Sequence, residues 1–270
     1  SIVMTKMFIF DPPYLRQERK SVDYWGIGML AVGIGSLQIL LDKGQQEDWF
    51  ESSSMTALAI ISAVTLTALI VHELRTENPI VDLRVFKART YAVGVFLMTV
   101  VGFVLYGSLV LLPIMLQTLL GYPSLQAGIA MAPRGMGSFI MMPIVGMMTG
   151  RFDPRKLLAI GLVVGGSTLL WLSGLNLQAG YWDIFWPQLI QGAGLALLFV
   201  PLTTVSMDPI PRERMGYATS LFNLMRNVGG SIGIAVTGTM VARAEQTWTK
   251  ILSANVTPYH PGTQTLFAQV

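Results

Sequence analysis

The chain has 270 residues, 52% of them hydrophobic and only 12% charged, with 18 Lys and Arg against 15 Asp and Glu and no cysteine. That balance excludes an ordinary soluble domain, which carries about twice the charge. The absent cysteines exclude disulfides and thiolate metal sites, and a net charge of +3 scattered over loops excludes a nucleic-acid-binding face.

Crossing the hydrocarbon of a bilayer takes about 20 mostly apolar residues. By that rule the sequence predicts seven spans, at 24–41, 54–72, 91–119, 124–149, 157–174, 184–206 and 217–242. Ahead of them, DPPYLRQERK reads as a cytoplasmic connector. SIVMTKMFIF before it reads like the last turns of an earlier span, so the chain is expected to be a piece of a longer membrane protein. The first two spans are plain apolar helices. HELRTENPIVDLRVFKART then forms a basic connector, broken by Pro79, in which VDLRVFK is suited to a short amphipathic helix. The third span is ~45 Å long as a helix and must tilt or bend, with Gly94, Gly102, Gly107 and Pro113 as places to do so. GxxxG spacings at Gly146/Gly150, Gly161/Gly165 and Gly229/Gly233 would each admit a close neighbour helix, although glycine is common in membrane helices anyway.

Alternating the loops tests the span count. One side collects thirteen Lys and Arg and the other three, Lys43, Arg243 and Lys250. The positive-inside rule then puts the N-terminal segment in the cytoplasm and the residues after 243 outside. The two remaining cations, Arg134 and Arg226, lie at membrane depth, where charge is costly and wants a partner. Every acidic residue falls in a loop or near a span end, so no carboxylate buried at membrane depth to carry a proton is expected, and His72 and His260 are not placed to carry protons.

Three groups of residues are candidates for function. Thr219, Asn223, Arg226, Asn227 and Gly230 share one helix face by their three- and four-residue spacing, a stripe that lines a cavity or holds a structural arginine. Gln188 and Gln191, between Pro187 and Pro201, face one way and offer amides to a substrate or a neighbouring helix. Arg134, ~15 Å into its helix, is too deep to snorkel easily. Tyr106, Gln117 and Trp186 are weaker candidates. No nucleophile–base pair, metal cluster or phosphate loop is visible, so an enzyme is not expected.

GIGSLQILLDKGQQEDWF, ENPIVDLRVFK, LYGSLVLLPIMLQTLLGY, WPQLIQGAG, FVPLTT and SLFNLMRNVGGSIG, in that order, resemble the EmrB/QacA-type drug:proton antiporters. These form the fourteen-helix branch of the major facilitator superfamily. The resemblance implies an all-α polytopic bundle in the bacterial inner membrane that exports amphipathic drugs by proton antiport, with no bound cofactor. It implies a layout of 1–23 as cytoplasmic connector, 24–74 as two linker helices, 75–90 as cytoplasmic loop, 91–242 as five helices of the C-terminal half, and 243–270 as external segment. Arg134, Gln188, Gln191, Asn223, Arg226 and Asn227 would line this half of the cavity. Gly146, Gly150, Arg151, Asp153, Arg155 and Lys156 are similar to the superfamily's loop motif, with Gly150 standing where an Asp is usual. The proton-carrying carboxylates would lie in the other half. A periplasmic adaptor and an outer-membrane channel are implied partners, with the segment from Arg243 onward the place for adaptor contact. The competing reading is a seven-helix membrane sensor or binding protein without transport.

Overall fold

The computed structural model describes residues 23–47, 49–76, 79 and 81–255. The expected connector up to residue 22 and the external residues 256–270 lie outside the described residues. Among those described, seven α-helices follow one another: α1 (Tyr24–Lys43), α2 (Ser53–Arg75), α3 (Arg89–Ile114), α4 (Ser124–Thr149), α5 (Pro154–Ser173), α6 (Tyr181–Met207) and α7 (Met215–Asn255). The first six are long and apolar enough to cross a membrane; for α3 this counts the turn that extends it to Leu119.

α7 misses that composition because Asn223, Arg226 and Asn227 lie in its first third and Arg243 and Glu245 close the apolar stretch that follows. Its packing still marks it as a crossing helix. Contacts between α3 and α7 rise together in sequence, Thr99 meeting Gly229, Phe103 meeting Gly233 and Thr237 meeting Gly107, so the two run parallel. Four alternating crossings after α3 require that direction. At 41 residues α7 is ~60 Å long, about twice the hydrocarbon thickness. The segment from Arg243 therefore starts as a continuation of the helix, through Asn255.

Local chemistry sets several helix ends. The Asp23 carboxylate caps α1 by accepting the Gly26 N–H at 3.0 Å. Asp153 caps α5 in the same way, 3.0 Å from the Arg155 N–H, with Pro154 in the first turn. Asp183, in the first turn of α6, reaches back to the Gly180 N–H at 2.8 Å. Asp82 starts a 3-10 turn, Leu83–Lys87, where the amphipathic stretch was expected. The glycines of α3 lie within a continuous α-helix, Arg89–Ile114. It changes pitch after Pro113, which has no N–H to give, and passes into a π turn at Met115–Leu119.

Those glycines are contact points. In lipid, helices gain little from hydrophobic burial against one another, so close backbone approach carries the packing. Gly102, Gly107, Gly229 and Gly233 form the α3–α7 seam, where an added methyl would strike a carbonyl or side chain of the other helix. Gly137 and Gly192 form the α4–α6 seam, each pressed on the backbone of its partner. Gly161 abuts Leu197 and Gly194 abuts Gly165, joining α5 to α6. The Gly146/Gly150 pair differs from expectation: among the described residues an added methyl at Gly146 meets nothing beyond its own helix within 4 Å, and one at Gly150 meets only the Met147 carbonyl. α6 is the central element, with half of its span buried. α1 and α2 make a separate antiparallel hairpin, tied by the Ser62 hydroxyl to the Gly33 carbonyl at 3.1 Å and leaning on α7 through a hydrogen bond from Ser231 to Gln38 at 2.5 Å.

Among the described residues two carboxylates are buried, both at span ends and neither at membrane depth. Glu73 is 2% exposed and Asp82 7%. Both lie at the connector end of the bundle, so neither supplies a carboxylate at mid-membrane depth. Glu73 is covered because it turns into the α1–α2 interface beside Gly26. His72, next to it, meets Asp23 at 2.7 Å.

The Gly26 N–H holds the Asp23 carboxyl below its ordinary value of 3.8; burial opposes it, and the His72 hydrogen bond and charge add further, smaller lowering. A depressed carboxyl adds stability that is complete above 3.8 and disappears as pH falls through the lower native value. The thermal midpoint of the wild type should therefore drop below that pH by more than that of Asp23→Asn, and parallel pH profiles would remove the cap from the account.

Candidate functional site

Arg134 projects from the middle of α4 between α3 and α6 and is 6% exposed. Its Nη2 donates to Ser108 Oγ of α3 at 3.2 Å, while its Nε is buried with no hydrogen-bond partner among the described residues. Its own carbonyl lies against Gly192. The Ser138 hydroxyl, one turn on, bridges the Arg134 and Gly192 carbonyls at 3.1 and 2.9 Å. The α4–α6 seam thus fixes the base of the Arg134 side chain.

The guanidinium borders a cavity of about 220 Å³ between α3, α5 and α6, whose walls include Val104, Ser108, Leu162 and Gln191. A second pocket of about 370 Å³ shares Ser108 and Leu169 with it and runs on past Leu112 to Leu175. The combined space is apolar apart from Arg134, Gln191 and two serines.

Gln188 and Gln191 are 1% and 4% exposed, and each has a buried Oε1 without a hydrogen-bond partner. Only Gln191 reaches the cavity wall. A buried amide oxygen left without a donor costs roughly 1–3 kcal/mol, and of the two residues only Gln191 borders a cavity from which a donor can come.

The α7 stripe divides. Gly230 carries no side chain because the Tyr106 ring occupies that place. Arg226 turns toward α6 and lies over the Phe199 ring, 5.8 Å from its centroid, a cation–π contact. Its Nε is buried without a hydrogen-bond partner. Asn223 folds back on its own helix, giving Nδ2 to the Thr219 carbonyl at 3.0 Å. Asn227 and Thr219 are exposed. The sequence-predicted residues therefore form two groups, Arg134 with Gln191 in the α3–α5–α6 cavity and Arg226 with Asn223 and Asn227 on α7. Gln188 is buried between helices.

Gln117 is exposed in the π turn, 3.5 Å from Ser124 Oγ, and Trp186 is half-exposed in a cluster with Tyr181, Trp182 and Phe185 at the start of α6. Neither reaches the two groups. Gly150, Arg151 and Asp153 lie in the exposed turn between α4 and α5, closed by the Phe152 N–H on the Met148 carbonyl at 2.8 Å, while Arg155 and Lys156 are exposed in the first turn of α5 and Gly146 is exposed one turn earlier on α4.

Sequence reasoning missed Ser108, Phe199 and Ser206. Ser206 is 1% exposed, sits against Gly94 and has an unpartnered Oγ. Each is one ordinary residue in an apolar run, and only helix pairing picks it out. Among the described residues, the ion pairs are His72–Asp23 at 2.7 Å and Arg214–Asp82 at 3.5 Å, so neither intramembrane arginine has an acidic partner there.

Comparison with known proteins adds to this geometry. A family model described as Major Facilitator Superfamily matches residues 25–234. The chain is 37% identical to the multidrug export protein EmrB of Escherichia coli strain K12, over 94% of the chain and 50% of that protein. It is 35% identical to the protein of the same name from Haemophilus influenzae, over 92% of the chain and 49% of the relative. It is also 37% identical to the fatty acid resistance protein FarB of Neisseria gonorrhoeae, over 89% of the chain and 48% of that protein. The chain spans about half the length of the curated relatives it matches.

Proposed function

The chain belongs to the Major Facilitator Superfamily, a family of transporters, and from that premise we propose that it supplies part of the substrate pathway of a proton-coupled exporter. It is a multi-pass protein of the bacterial inner membrane. On this reading small amphipathic molecules leave by alternating access, the bundle of α3–α7 rocking against a second half around a site near the midplane. Residues 24–74 are the two linker helices, and the connector at 75–90 faces the cytoplasm. The names of the relatives, multidrug export and fatty acid resistance, support the substrate class.

The observation that carries the reading is the set of unsatisfied polar atoms on inward-turned helices. Arg134 Nε, Arg226 Nε and the Oε1 atoms of Gln188 and Gln191 are all buried without hydrogen-bond partners among the described residues. A bundle whose only task was to hold itself together would close such groups on one another. Here they await groups from the substrate or the second half. The acidic partners of the two arginines, and the carboxylates that exchange protons, belong to that half on this reading. A periplasmic adaptor would meet the extension of α7 beyond Arg243, and an outer-membrane channel would complete the path.

The test is export by the full-length protein. Arg226→Ala should lower drug efflux at least tenfold at unchanged membrane abundance, because Phe199 and the second half lose the cation between them. Efflux at the wild-type rate would remove Arg226 from the pathway.

A further inference from the structure

We propose that the open groove on the α1–α2 hairpin is a binding site for one anionic phospholipid. Its acyl chain would lie along α2 and its phosphate would meet Arg75. The groove measures about 800 Å³ and is lined by Met29 of α1 and, on α2, by Ala63, Ala68 and Val71, with His72 and Arg75 at its end. Thr67 is the one other polar residue of its wall, and its hydroxyl proton is spent on the Ala63 carbonyl at 2.7 Å, so the floor offers no free hydrogen-bond donor to a ligand.

Three observations point to a lipid. The first is length. From Ala63 to Arg75 the helix rises ~18 Å, close to the ~15 Å depth of one leaflet's hydrocarbon. An acyl chain filling the floor therefore brings its headgroup to Arg75. The second is separation from the hairpin's own interface. α2 meets α1 through Ser62, Leu66 and Glu73, the next stripe around the helix, so the groove is not a packing defect between the two helices. The third is charge. Arg75 is exposed, and among the described residues it makes no ion pair. His72 is matched by Asp23 at 2.7 Å, and Glu73 is turned into the interface at Gly26. The 3-10 turn that touches α2 adds exposed Arg84 and Lys87. The unpaired charge among the groove's lining residues is therefore the cation of Arg75. Basic groups beside membrane helices attract anionic lipid by about fivefold per residue.

Native mass spectrometry of the detergent-purified full-length protein with equal amounts of phosphatidylglycerol and phosphatidylcholine tests this. Phosphatidylglycerol should be retained in excess. Arg75→Gln should reduce that excess about fivefold, and Arg75→Lys should restore it. Ala68→Trp, which fills the floor, should lower retention of both lipids. Arg243→Gln, at the other end of the bundle, should change nothing. Equal retention of the two lipids by the wild type would overturn the proposal. So would an unchanged preference in Arg75→Gln, or lipid-free dimers showing that a second copy fills the groove. Retention indifferent to both Arg75→Gln and Ala68→Trp would show that the rest of the protein covers the groove, and would overturn it equally.

Discussion

Gly192→Leu should abolish a stable bundle, whereas Gly146→Leu should be almost silent. Both are glycines in the middle of apolar runs, and the sequence alone ranks them the other way, since Gly146 carries a GxxxG spacing with Gly150. The structure separates them by what a side chain would meet. At Gly192 the first added carbon lands on the Arg134 carbonyl oxygen, and 3.0 Å away is the Ser138 nitrogen. Both are backbone atoms of α4, held by the Ser138 hydroxyl that bridges the two helices. Neither can swing aside as a side-chain tip would. α4 must move outward along its length, which opens the α4–α6 seam and withdraws Arg134 from Ser108. Overpacking of a seated core costs about 1–3 kcal/mol, occasionally more, and a clash with fixed backbone belongs at or above the upper end of that range. At Gly146 the first added carbon meets nothing of the described residues beyond its own helix within 4 Å, so the change should fall within about 0.5 kcal/mol. Thermal unfolding of the purified protein, followed by size-exclusion after heating, compares the two. Equal losses would mean that Gly146 meets a neighbour beyond the described residues, or that the α4–α6 seam is softer than its geometry.

The same pair of glycines shows what the sequence can and cannot say. Span number and loop alternation follow from composition, because hydrocarbon thickness imposes a length that a single chain displays. Caps such as Asp23 and Asp153 are equally local. Which glycine is a seam is not local: Gly229 and Gly233 are contact points because α3 comes alongside, and Gly146 is not because no described helix does. The candidate site behaves likewise. The arginines and glutamines stand out in an apolar run, so Arg134, Gln188, Gln191 and Arg226 are visible at once. Ser108 and Phe199 are not, for a serine or a phenylalanine in a membrane helix is unremarked until an arginine from another helix is found upon it. Sharing a face also proved weaker than sharing a cavity. Gln188 and Gln191 are one turn apart, yet only Gln191 reaches the space that Arg134 borders. Glu73 hides for a related reason, since its burial comes from Gly26 on the other helix of the hairpin.

Arg134→Met should separate stability from function. If Arg134 were a structural arginine, its guanidinium would be satisfied inside the bundle, and removing it would expose partners left behind. Breaking a buried pair in that way costs about 3–5 kcal/mol. The observed contacts are thinner. One nitrogen donates to Ser108 at 3.2 Å, Nε has no hydrogen-bond partner, and no acidic group of the described residues lies within ion-pair distance. Ser108 is not stranded by the change, because its hydroxyl already donates to the Leu105 carbonyl at 2.9 Å. Methionine fills similar volume with a flexible apolar chain in a wall that, Ser108 and Gln191 apart, is otherwise Val, Leu and Gly. Replacing an under-satisfied buried charge by a fitting apolar group is commonly neutral or stabilising. The thermal midpoint of Arg134→Met should therefore match or exceed that of the wild type. Export by the full-length protein should fall at least tenfold, since a cation facing a cavity of about 220 Å³ has been erased. A fall in stability of several kcal/mol, with export tracking the surviving protein, would give Arg134 back to the scaffold and leave Arg226 as the cation of the pathway. Stable protein with full export would remove the α3–α5–α6 cavity from the mechanism altogether.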